Sequence, residues 1–154
     1  MKVVLIRVDK AKILVREKVI SCIEKGAVAF VGIERDDDLT VLEEMAKKIT
    51  HLRIFEDERG KLNFSLKDKN YPLLCISNFT LCANTKKGRR PSFEEAMQKE
   101  EALKFFEDFV MLLEAKGLEI KKGEFGEKMK IDLEADGPVN IILEIKNKNA
   151  SHSF

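Results

Sequence analysis

The feature that most restricts the fold of this chain is a change in the period of its apolar residues. Near the C-terminus they occupy every second position, first from Met129 to Leu133 and again from Val139 to Ile145. This period is typical of a strand that buries one face. Upstream, apolar residues recur on one face of a predicted helix: Phe93, Met97, Phe106, Phe109, Val110 and Leu113. The chain therefore has to combine a sheet with a long helix.

The remaining elements are predicted from apolar runs and turn residues. Strands are expected at 1–8, about 12–23, 27–33 and 71–79, with a hairpin at 53–66 that turns near Gly60. A first helix should begin after the aspartates 36–38, because negative charge is favourable at a helix N-terminus. We therefore predict a mixed α/β fold, with a largely antiparallel sheet and barrel-like strands covered by two main helices.

The bounds of the second main helix are predicted from its capping residues. Ser92 and Glu95 have the spacing of a capping box, which places the start of the helix at Ser92. Gly117 follows the last apolar residue of the helical pattern and is expected to end it. The pattern also predicts that Phe93 and Met97 lie in the core as helical residues.

Length and charge limit the class of protein. The 154 residues fit one domain, which we predict at 1–146, with a C-terminal tail at 147–154. The net charge of +1 gives no overall basic field, so any contact with RNA would depend on a local patch. The first nine residues are too short and too charged for a signal peptide, and no apolar run is long enough to span a membrane. We therefore predict a soluble, cytoplasmic protein.

The cysteines support the same compartment. Three cysteines in scattered positions, an odd number, indicate reduced thiols of the cytosol and not a disulfide framework. Cys22 and Cys75 lie in apolar runs, and we predict that both are buried.

Several common catalytic chemistries are disfavoured by the residues present. The two histidines, His51 and His152, give no indication of a Ser-His-Asp triad, and His152 lies in the tail. No CxxC or HxxxH spacing suggests zinc, and no glycine-rich loop suggests a bound phosphate. The capping role accounts for the aspartates 36–38 without a metal. We expect neither a metal nor a cofactor, and few side chains of obvious reactivity.

Two short stretches remain that could use backbone groups for chemistry. SNFTLCANTKKGRRPSF, at 77–93, follows an apolar strand, and N–H groups exposed at a strand end could form an oxyanion hole. DGPVN, at 136–140, contains Gly137, which allows close approach to the backbone, and Pro138, which fixes the direction of the neighbouring carbonyls. Each stretch by itself is also consistent with an ordinary loop or turn.

Together these stretches resemble the motifs of the D-aminoacyl-tRNA deacylase family. That family carries Ser-Gln-Phe-Thr-Leu and Gly-Pro-Val-Thr, which appear here as Ser77-Asn78-Phe79-Thr80-Leu81 and Gly137-Pro138-Val139-Asn140. Either motif alone is weak, but both occur here at the family's separation with the intervening blocks in order. The blocks that match between residues 1 and about 146 are Arg7-Val8, Arg53-Ile54-Phe55, Asp57, Gly60-Lys61, Lys87-Gly88, Arg90-Pro91-Ser92-Phe93, Gly123, Phe125 and Met129.

The resemblance implies the fold of that family and an enzyme of translation quality control. Such an enzyme is a homodimer that hydrolyses the ester between a D-amino acid and tRNA, and it is also active on glycyl-tRNA. In the family the Gly-Pro bond is cis and reaches from one subunit into the active site of the other. There its carbonyls meet the α-amino group of the substrate and leave no room for an L side chain.

The resemblance also implies roles for individual residues. Ser77, Asn78, Phe79 and Thr80 would form the catalytic stretch, with Phe79 and Thr80 offering N–H groups to the ester carbonyl. Gly137, Pro138 and Val139 would form the chiral filter, which Arg7 would help to hold. Phe125, with Met129, would contact the terminal adenine, since aromatic rings commonly stack on unpaired bases. The acceptor-end phosphates would meet four basic residues: Lys86, Lys87, Arg89 and Arg90.

Two departures from the family motifs and two rival functions stay open at this point. Asn78 stands where the family has glutamine, and Asn140 stands where it has threonine. If either family side chain contacts the substrate, the predicted site is partly wrong. The rivals are an editing deacylase for a mischarged L-amino acid and a non-catalytic domain that binds RNA or peptide.

Overall fold

A computed structural model describes residues 1–150, and the mixed α/β class is confirmed. The strands are β1 (Lys2–Val15), β2 (Lys18–Ile23), β3 (Gly26–Gly32), β4 (Phe55–Glu56), β5 (Leu62–Phe64), β6 (Leu73–Ser77), β7 (Ile120–Lys122) and β8 (Lys130–Glu144). The helices are α1 (Leu39–His51), α2 (Leu66–Lys69) and α3 (Lys99–Ala115), and a 3₁₀ turn covers Phe79–Cys82. The two long helices are α1 and α3, as predicted. The domain bounds stay a prediction, and residues 151–154 of the predicted tail lie outside the described residues.

The main sheet is organised around the long strand β1. On one side β1 pairs with β8 over most of its length, and on the other its first half pairs with β3 and its second half with β2. These three pairings are antiparallel, which confirms the largely antiparallel sheet. The parallel part, in which β6 lies between β3 and β7, was not predicted.

The two faces of this sheet bury different apolar clusters. In β3, Ala27, Ala29 and Val31 belong to the cluster that includes the buried faces of α1 and α3. Val28 points the other way, into a cluster whose buried members all come from strands. Strand residues that alternate between two buried clusters indicate a sheet that curls around the second one, in agreement with the barrel-like prediction.

The C-terminal segment is one strand and not the two that the sequence predicts. Ile6 faces Asn140 while Val8 faces Ala135, so residues 136–139 of β8 lie opposite Arg7 alone. The segment containing Gly137 and Pro138 is therefore a bulge within β8. Pairing along β1 keeps the strand continuous across a segment whose own residues indicate a turn.

The break predicted between residues 8 and 12 is also absent, because β1 continues to Val15. The turn lies at Arg16 and Glu17, both with positive φ, at 50° and 66°. A two-residue hairpin turn needs such angles and usually takes glycine or asparagine, so the sequence carries no signal for it.

The predicted start of α3 at Ser92 is wrong, since the helix begins at Lys99. Before it, the backbone of Ser92 exchanges two hydrogen bonds with Asn84, at 2.8 and 2.9 Å, and Ala96 forms a bridge with Glu34. These two bridges use backbone groups that a helix would need. Phe93 and Met97 therefore lie in a loop, although Met97 is buried in the main core as predicted.

Other local predictions are confirmed. Asp38 is the N-cap of α1, and its side chain accepts a hydrogen bond of 3.0 Å from the N–H of Val41. The β4–β5 hairpin turns at Gly60, which has a φ of 74°. Gly117 directly follows the cap residue of α3 and has a φ of 92°.

The cysteines are all free, but only part of their predicted placement is right. Cys22 is exposed, contrary to the prediction, because it lies in the short strand β2, whose residues are mostly exposed. Cys75 and Cys82 are buried, and burial raises the pKa of Cys75 to about 12 and that of Cys82 to about 11. These two residues are neutral thiols at physiological pH.

The two ends of the described chain meet in a buried polar cluster. The α-ammonium group of Met1 donates to Glu34 at 2.8 Å, to Asp37 at 2.7 Å and to the carbonyl of Ile145 at 2.8 Å. Lys146 pairs with Glu34 at 2.8 Å, and Asn147, predicted to lie in the tail, donates to the Asp36 carbonyl. Within residues 1–150, no helix is long and apolar enough to cross a membrane.

Candidate active site

The stretch at 77–82 lies where the parallel strands β3 and β6 end. β6 ends at Ser77, and not at residue 79 as predicted. The next N–H, from Asn78, still donates to the carbonyl of Val31 at 2.8 Å, which ties the end of β6 to β3. The chain then tightens into the 3₁₀ turn, where the N–H of Leu81 donates to the carbonyl of Asn78 at 3.3 Å.

This turn leaves two backbone donors free. The first N–H groups of a helical turn have no acceptor inside the turn. Within the described residues, the N–H groups of Phe79 and Thr80 donate to no other backbone or side-chain acceptor. Both residues are exposed, so the two adjacent N–H groups are available to an oxygen atom of a ligand.

Gly32 allows the turn to pack against the end of β3. A Cβ atom at this position would lie 2.9 Å from Cβ of Leu81 and 3.2 Å from the carbonyl oxygen of Asn78. Such distances are shorter than side chains tolerate, so only glycine leaves room for the turn. The sequence analysis did not single out Gly32.

The hydroxyl of Thr80 lacks a basic partner. It donates a hydrogen bond of 2.5 Å to the amide oxygen of Asn78. An amide oxygen does not remove a proton at physiological pH, so this contact does not make Thr80 a nucleophile. The same contact gives Asn78, one of the two departures from the family motif, a role within the turn.

A cavity of about 470 Å³ opens beside the turn. Of the predicted site residues, Ser77, Asn78, Phe79, Phe125 and Met129 line it. Its wall also includes residues that the sequence analysis did not assign to a site, among them Phe93, Met97, Gln98, Lys99 and Glu127. The helical pattern assigned Phe93 and Met97 to a core. Met97 does lie in the main core and lines the cavity as well, whereas Phe93 is only half-buried, at the cavity wall.

Aromatic contacts and a short loop shape this cavity. The rings of Phe79 and Phe93 meet edge to face with centroids 5.1 Å apart, and Phe125 lies 6.1 Å from Phe106 of α3. The loop that carries Phe125 is tied to β6 by the N–H of Gly123, which donates to the carbonyl of Cys75 at 3.0 Å. A mostly apolar cavity with backbone donors at its edge suits a largely apolar group that carries a hydrogen-bond acceptor.

Gly137 and Pro138 lie elsewhere on the molecule. Both are exposed in the bulge of β8, their peptide bond is cis, and neither lines the cavity beside the turn. Val139 is half-buried and packs against the main core. Asn140, the second departure, is exposed and faces Ile6 in the ladder.

Arg7 connects this bulge to the β4–β5 hairpin. Its side chain is only 6% exposed, and its Nε donates to the carbonyl of Asp136 at 3.1 Å. Its two terminal nitrogens contact the carbonyl of Ile54 at 2.9 Å and the carboxylate of Glu56 at 3.4 Å. The guanidinium group therefore holds the residue that precedes Gly137.

The four predicted basic residues lie together on one exposed loop. Within residues 1–150, none of Lys86, Lys87, Arg89 and Arg90 forms an ion pair. Their charges are available to an anionic partner. The described residues contain no group of His, Cys, Asp and Glu side chains placed to bind a metal ion.

Known proteins match this chain over nearly its whole length. A family model described as D-Tyr-tRNA(Tyr) deacylase matches residues 4–144. A D-aminoacyl-tRNA deacylase of Lactobacillus acidophilus is 49% identical over 94% of this chain and 100% of its own length. The D-aminoacyl-tRNA deacylase of Thermotoga petrophila is 44% identical over 94% of this chain and 97% of its own length.

Solved structures agree with these sequence relatives. One described as c-Myc DNA Unwinding Element Binding Protein superposes with a TM-score of 0.90 at 41% identity, over 96% of this chain and all of that one. A probable eukaryotic D-amino acid tRNA deacylase reaches a TM-score of 0.81 over 94% of this chain and 98% of that one, and its 17% identity supports the fold alone. Since the family model and the relatives span the chain from β1 to β8, this chain belongs to the D-Tyr-tRNA(Tyr) deacylase family and is a D-aminoacyl-tRNA deacylase, a hydrolase of ester bonds.

Proposed function

We propose that the Phe79 and Thr80 N–H groups bind the carbonyl oxygen of the D-aminoacyl ester and stabilise it as negative charge develops during hydrolysis. The observation that carries this proposal is the pair of adjacent free donors on the 3₁₀ turn, where Phe79 lines the cavity of about 470 Å³ and Thr80 follows it directly. A single donor of this kind contributes roughly a hundredfold to a thousandfold in kcat. Two donors can therefore supply much of the rate without a reactive side chain.

The attacking group in this proposal is water, assisted by the neighbouring 2′-hydroxyl of the terminal ribose. The aminoacyl ester is already reactive, and Thr80 has only the amide oxygen of Asn78 as its hydroxyl partner. Thr80→Ala removes the hydroxyl but keeps the N–H donor, so single-turnover rates should fall by about tenfold at most. Abolished turnover with intact tRNA binding, or an acyl-enzyme trapped on Thr80, would show that the hydroxyl is the nucleophile.

The selection of D-amino acids is assigned to Gly137, Pro138 and Val139 of a second copy of the chain. Gly137 and Pro138 are exposed and do not line the cavity of their own chain, which supports action in trans. Ile142, on the same edge strand, is 78% exposed and offers apolar surface for a homodimer. In such a dimer the filter carbonyls meet the substrate α-amino group and exclude an L side chain, while glycine is accepted. A solution mass near twice 17.6 kDa is expected from light scattering, and a monomer that remains active would contradict the assembly.

The tRNA end is assigned to the cavity wall and the basic loop. Phe125 and Met129 line the cavity, where an adenine ring can pack against them. Lys86, Lys87, Arg89 and Arg90 have no ion-pair partners within the described residues and can meet phosphates. We place the reaction in the cytoplasm, where aminoacyl-tRNA is used, and we assign no metal or cofactor to it.

Single-turnover deacylation of matched D- and L-tyrosyl-tRNA tests the selection, with glycyl-tRNA as a third substrate. Rapid loss of the D and glycyl esters with an intact L ester is expected. Equal loss of the D and L esters would remove the filter, and preferential loss of the L ester would indicate an editing deacylase for a mischarged L-amino acid. Binding of tRNA without loss of any ester would indicate a non-catalytic RNA-binding domain.

A further inference from the structure

We infer that the carboxylate of Asp136 is a positioning group for the chiral filter and sets how strongly L substrates are rejected. The inference rests on the proposed function of Gly137 and Pro138. Asp136 immediately precedes Gly137, and its main-chain carbonyl and its side chain both contact Arg7. It is not part of either family motif identified in the sequence.

Arg7 contacts Asp136 at two points, the main-chain carbonyl and the side-chain carboxylate. Nε of Arg7 lies 3.1 Å from the carbonyl oxygen of Asp136 and 3.2 Å from its carboxylate oxygen Oδ2. The N–H group donates to the main-chain carbonyl, and the carboxylate lies beside the same nitrogen as an ion pair. The hydrogen bond from the charged guanidinium group fixes the carbonyl next to Gly137, and the ion pair keeps the Asp136 side chain beside the same nitrogen.

Arg7 itself cannot follow a displaced loop. Its side chain is nearly buried, and its other nitrogens contact the carbonyl of Ile54 at 2.9 Å and the carboxylate of Glu56 at 3.4 Å. Since β1 and the β4–β5 hairpin both hold the guanidinium group, it is a fixed anchor. Movement of the filter segment is then limited by its own bond to this anchor.

The ordinary pairing of the sheet does not hold the filter segment. Residues 136–139 lie opposite Arg7 alone, so they lack the regular register that fixes the rest of β8. The Asp136 side chain is 43% exposed, and an ion pair at such a position contributes little to overall stability. Loss of the carboxylate should therefore change the position of the filter more than the stability of the fold.

The test compares Asp136→Asn with a matched control on the same strand, Asp132→Asn. Asp132 is also half-exposed and also pairs with a cation of β1, because its carboxylate lies 3.9 Å from Nζ of Lys12. Matched D- and L-tyrosyl-tRNA are the substrates, and kcat/KM is measured for both. Asp136→Asn should lower the ratio of D to L activity about tenfold, mainly through faster loss of the L ester, with the D activity changed by less than about threefold.

The control separates positioning from a merely structural role. Asp132→Asn should leave the ratio within about twofold of the parent, and both variants should have nearly the parental Tm. An unchanged ratio in Asp136→Asn would overturn the inference. A parallel fall of both activities with a lower Tm would also overturn it, because that pattern indicates general loosening of the fold.

A double-variant cycle tests whether Asp136 acts through Arg7. If it does, Arg7→Gln and the double variant Arg7→Gln/Asp136→Asn should show the same D to L ratio, because the second change has no anchor left to affect. If the two changes instead lower the D to L ratio independently, so that their effects multiply in the double variant, Asp136 does not act through Arg7. If the parent enzyme does not distinguish D from L, the filter itself and this inference both fail. A selective parent with an unaffected Asp136→Asn variant removes this inference alone.

Discussion

At the scale of single residues, the position of the Phe79 and Thr80 N–H groups depends on the absence of a side chain at Gly32. The 3₁₀ turn lies so close to the end of β3 that an added Cβ would be 3.2 Å from Sγ of Cys82 as well as close to Leu81. Oxyanion donors act through their exact placement, since they must meet the oxygen at about 2.7–3.1 Å. A displacement of a few tenths of an ångström therefore matters more here than in most turns.

Gly32→Ala should lower the single-turnover rate on D-tyrosyl-tRNA by about tenfold or more, because the turn has to move away from β3. Gly117→Ala is the control: Gly117 has a φ of 92° with no atom within 4 Å of an added Cβ, so it loses stability through backbone strain alone. Its rate should equal that of the parent at a temperature where both are folded. A Gly32→Ala enzyme with the parental rate would show that the turn is not positioned by this contact.

At the scale of elements, α1 shows a helix start that local residues determine. The Asp38 side chain accepts from the N–H of Val41, and the helix buries one apolar face against the sheet. The cap satisfies a backbone donor that has no acceptor within the helix. The negative charge also lies at the positive end of the helix dipole. Both effects act locally, so the sequence alone predicts this start.

Asp38→Ala should lower the free energy of unfolding by about 1 kcal/mol, as measured by urea denaturation at fixed protein concentration. Asp36→Ala provides a matched control, because Asp36 is the same residue type two positions earlier. Among residues 1–150, its carboxylate pairs only with the exposed side chain of Arg35, at 3.9 Å. That control should change the free energy by less than about 0.5 kcal/mol. Equal losses in both variants would contradict a capping role specific to Asp38.

Elements whose form depends on distant pairing could not be predicted in this way. The spacing of Ser92 and Glu95 satisfies a capping box, yet Ser92 pairs with Asn84 and the helix begins at Lys99. Gly-Pro within β8 indicates a turn locally, and pairing with β1 makes it a bulge. In both cases, hydrogen bonds to residues outside the local pattern outweigh a correct local preference.

The candidate site also contains some features that local sequence predicts and others that depend on distant packing. The exposed N–H groups after β6 follow from a strand end beside a polar stretch, and the sequence predicts them. The cavity wall formed by Phe93 and Met97 does not follow, because a helical period placed both residues in a helix, whereas they lie in a loop. Met97 is buried in the core as predicted and lines the cavity as well. Gly32 was missed because its role exists only when the turn packs on β3, and a single glycine in an apolar strand gives no indication of that contact.

At the scale of the whole molecule, a buried charge cluster joins the first strand, the start of α1 and the end of β8. Burial acts to raise the pKa of Glu34, but the bonds from Lys146 and the α-ammonium of Met1 outweigh it, and the net pKa lies below its usual value. Burial raises the pKa of neighbouring Asp37. A carboxyl with a lowered folded-state pKa stabilises the fold above its unfolded-state pKa and loses this contribution as pH falls through the folded-state value. Glu34 therefore contributes stability at neutral pH that is lost on acidification. Asp37, whose folded-state pKa is raised, has the opposite effect: its ionised form costs stability at neutral pH, and this cost is removed on acidification.

Glu34→Gln should reduce the free energy of unfolding by about 3 kcal/mol at neutral pH, because the buried α-ammonium loses a charged partner. The deficit should shrink on acidification, since protonated Glu34 in the parent then resembles glutamine. Urea denaturation across a pH series measures this. Glu144→Gln is the control, because Glu144 also pairs with Lys146, at 3.1 Å, but is half-exposed, so its loss should be about 0.5 kcal/mol or less. A deficit that does not change with pH would rule out the charge of Glu34 as its origin.

The charge distribution of the whole molecule bears on how it binds tRNA. The net charge is +1, so attraction to phosphate cannot come from an overall field. It has to come from places where cations lack acidic neighbours. Lys86 and Lys87 are on such a loop, whereas Lys10 and Lys12 of β1 each have a carboxylate of β8 within 4.0 Å. These two exposed lysine pairs differ mainly in local charge compensation.

The double variant Lys86→Ala/Lys87→Ala should raise the KM for D-tyrosyl-tRNA about tenfold near 0.15 M salt and leave kcat unchanged, because phosphate contacts position the tRNA but do not touch the ester. The slope of log kcat/KM against log salt should become shallower by about 1.5, close to one released counterion per lysine. Lys10→Ala/Lys12→Ala removes the same charge and should change neither quantity beyond about twofold, since those lysines already pair with carboxylates. Equal effects of the two double variants would mean that tRNA responds to net charge and not to this loop, and the assignment of the basic loop to the acceptor end would then be wrong.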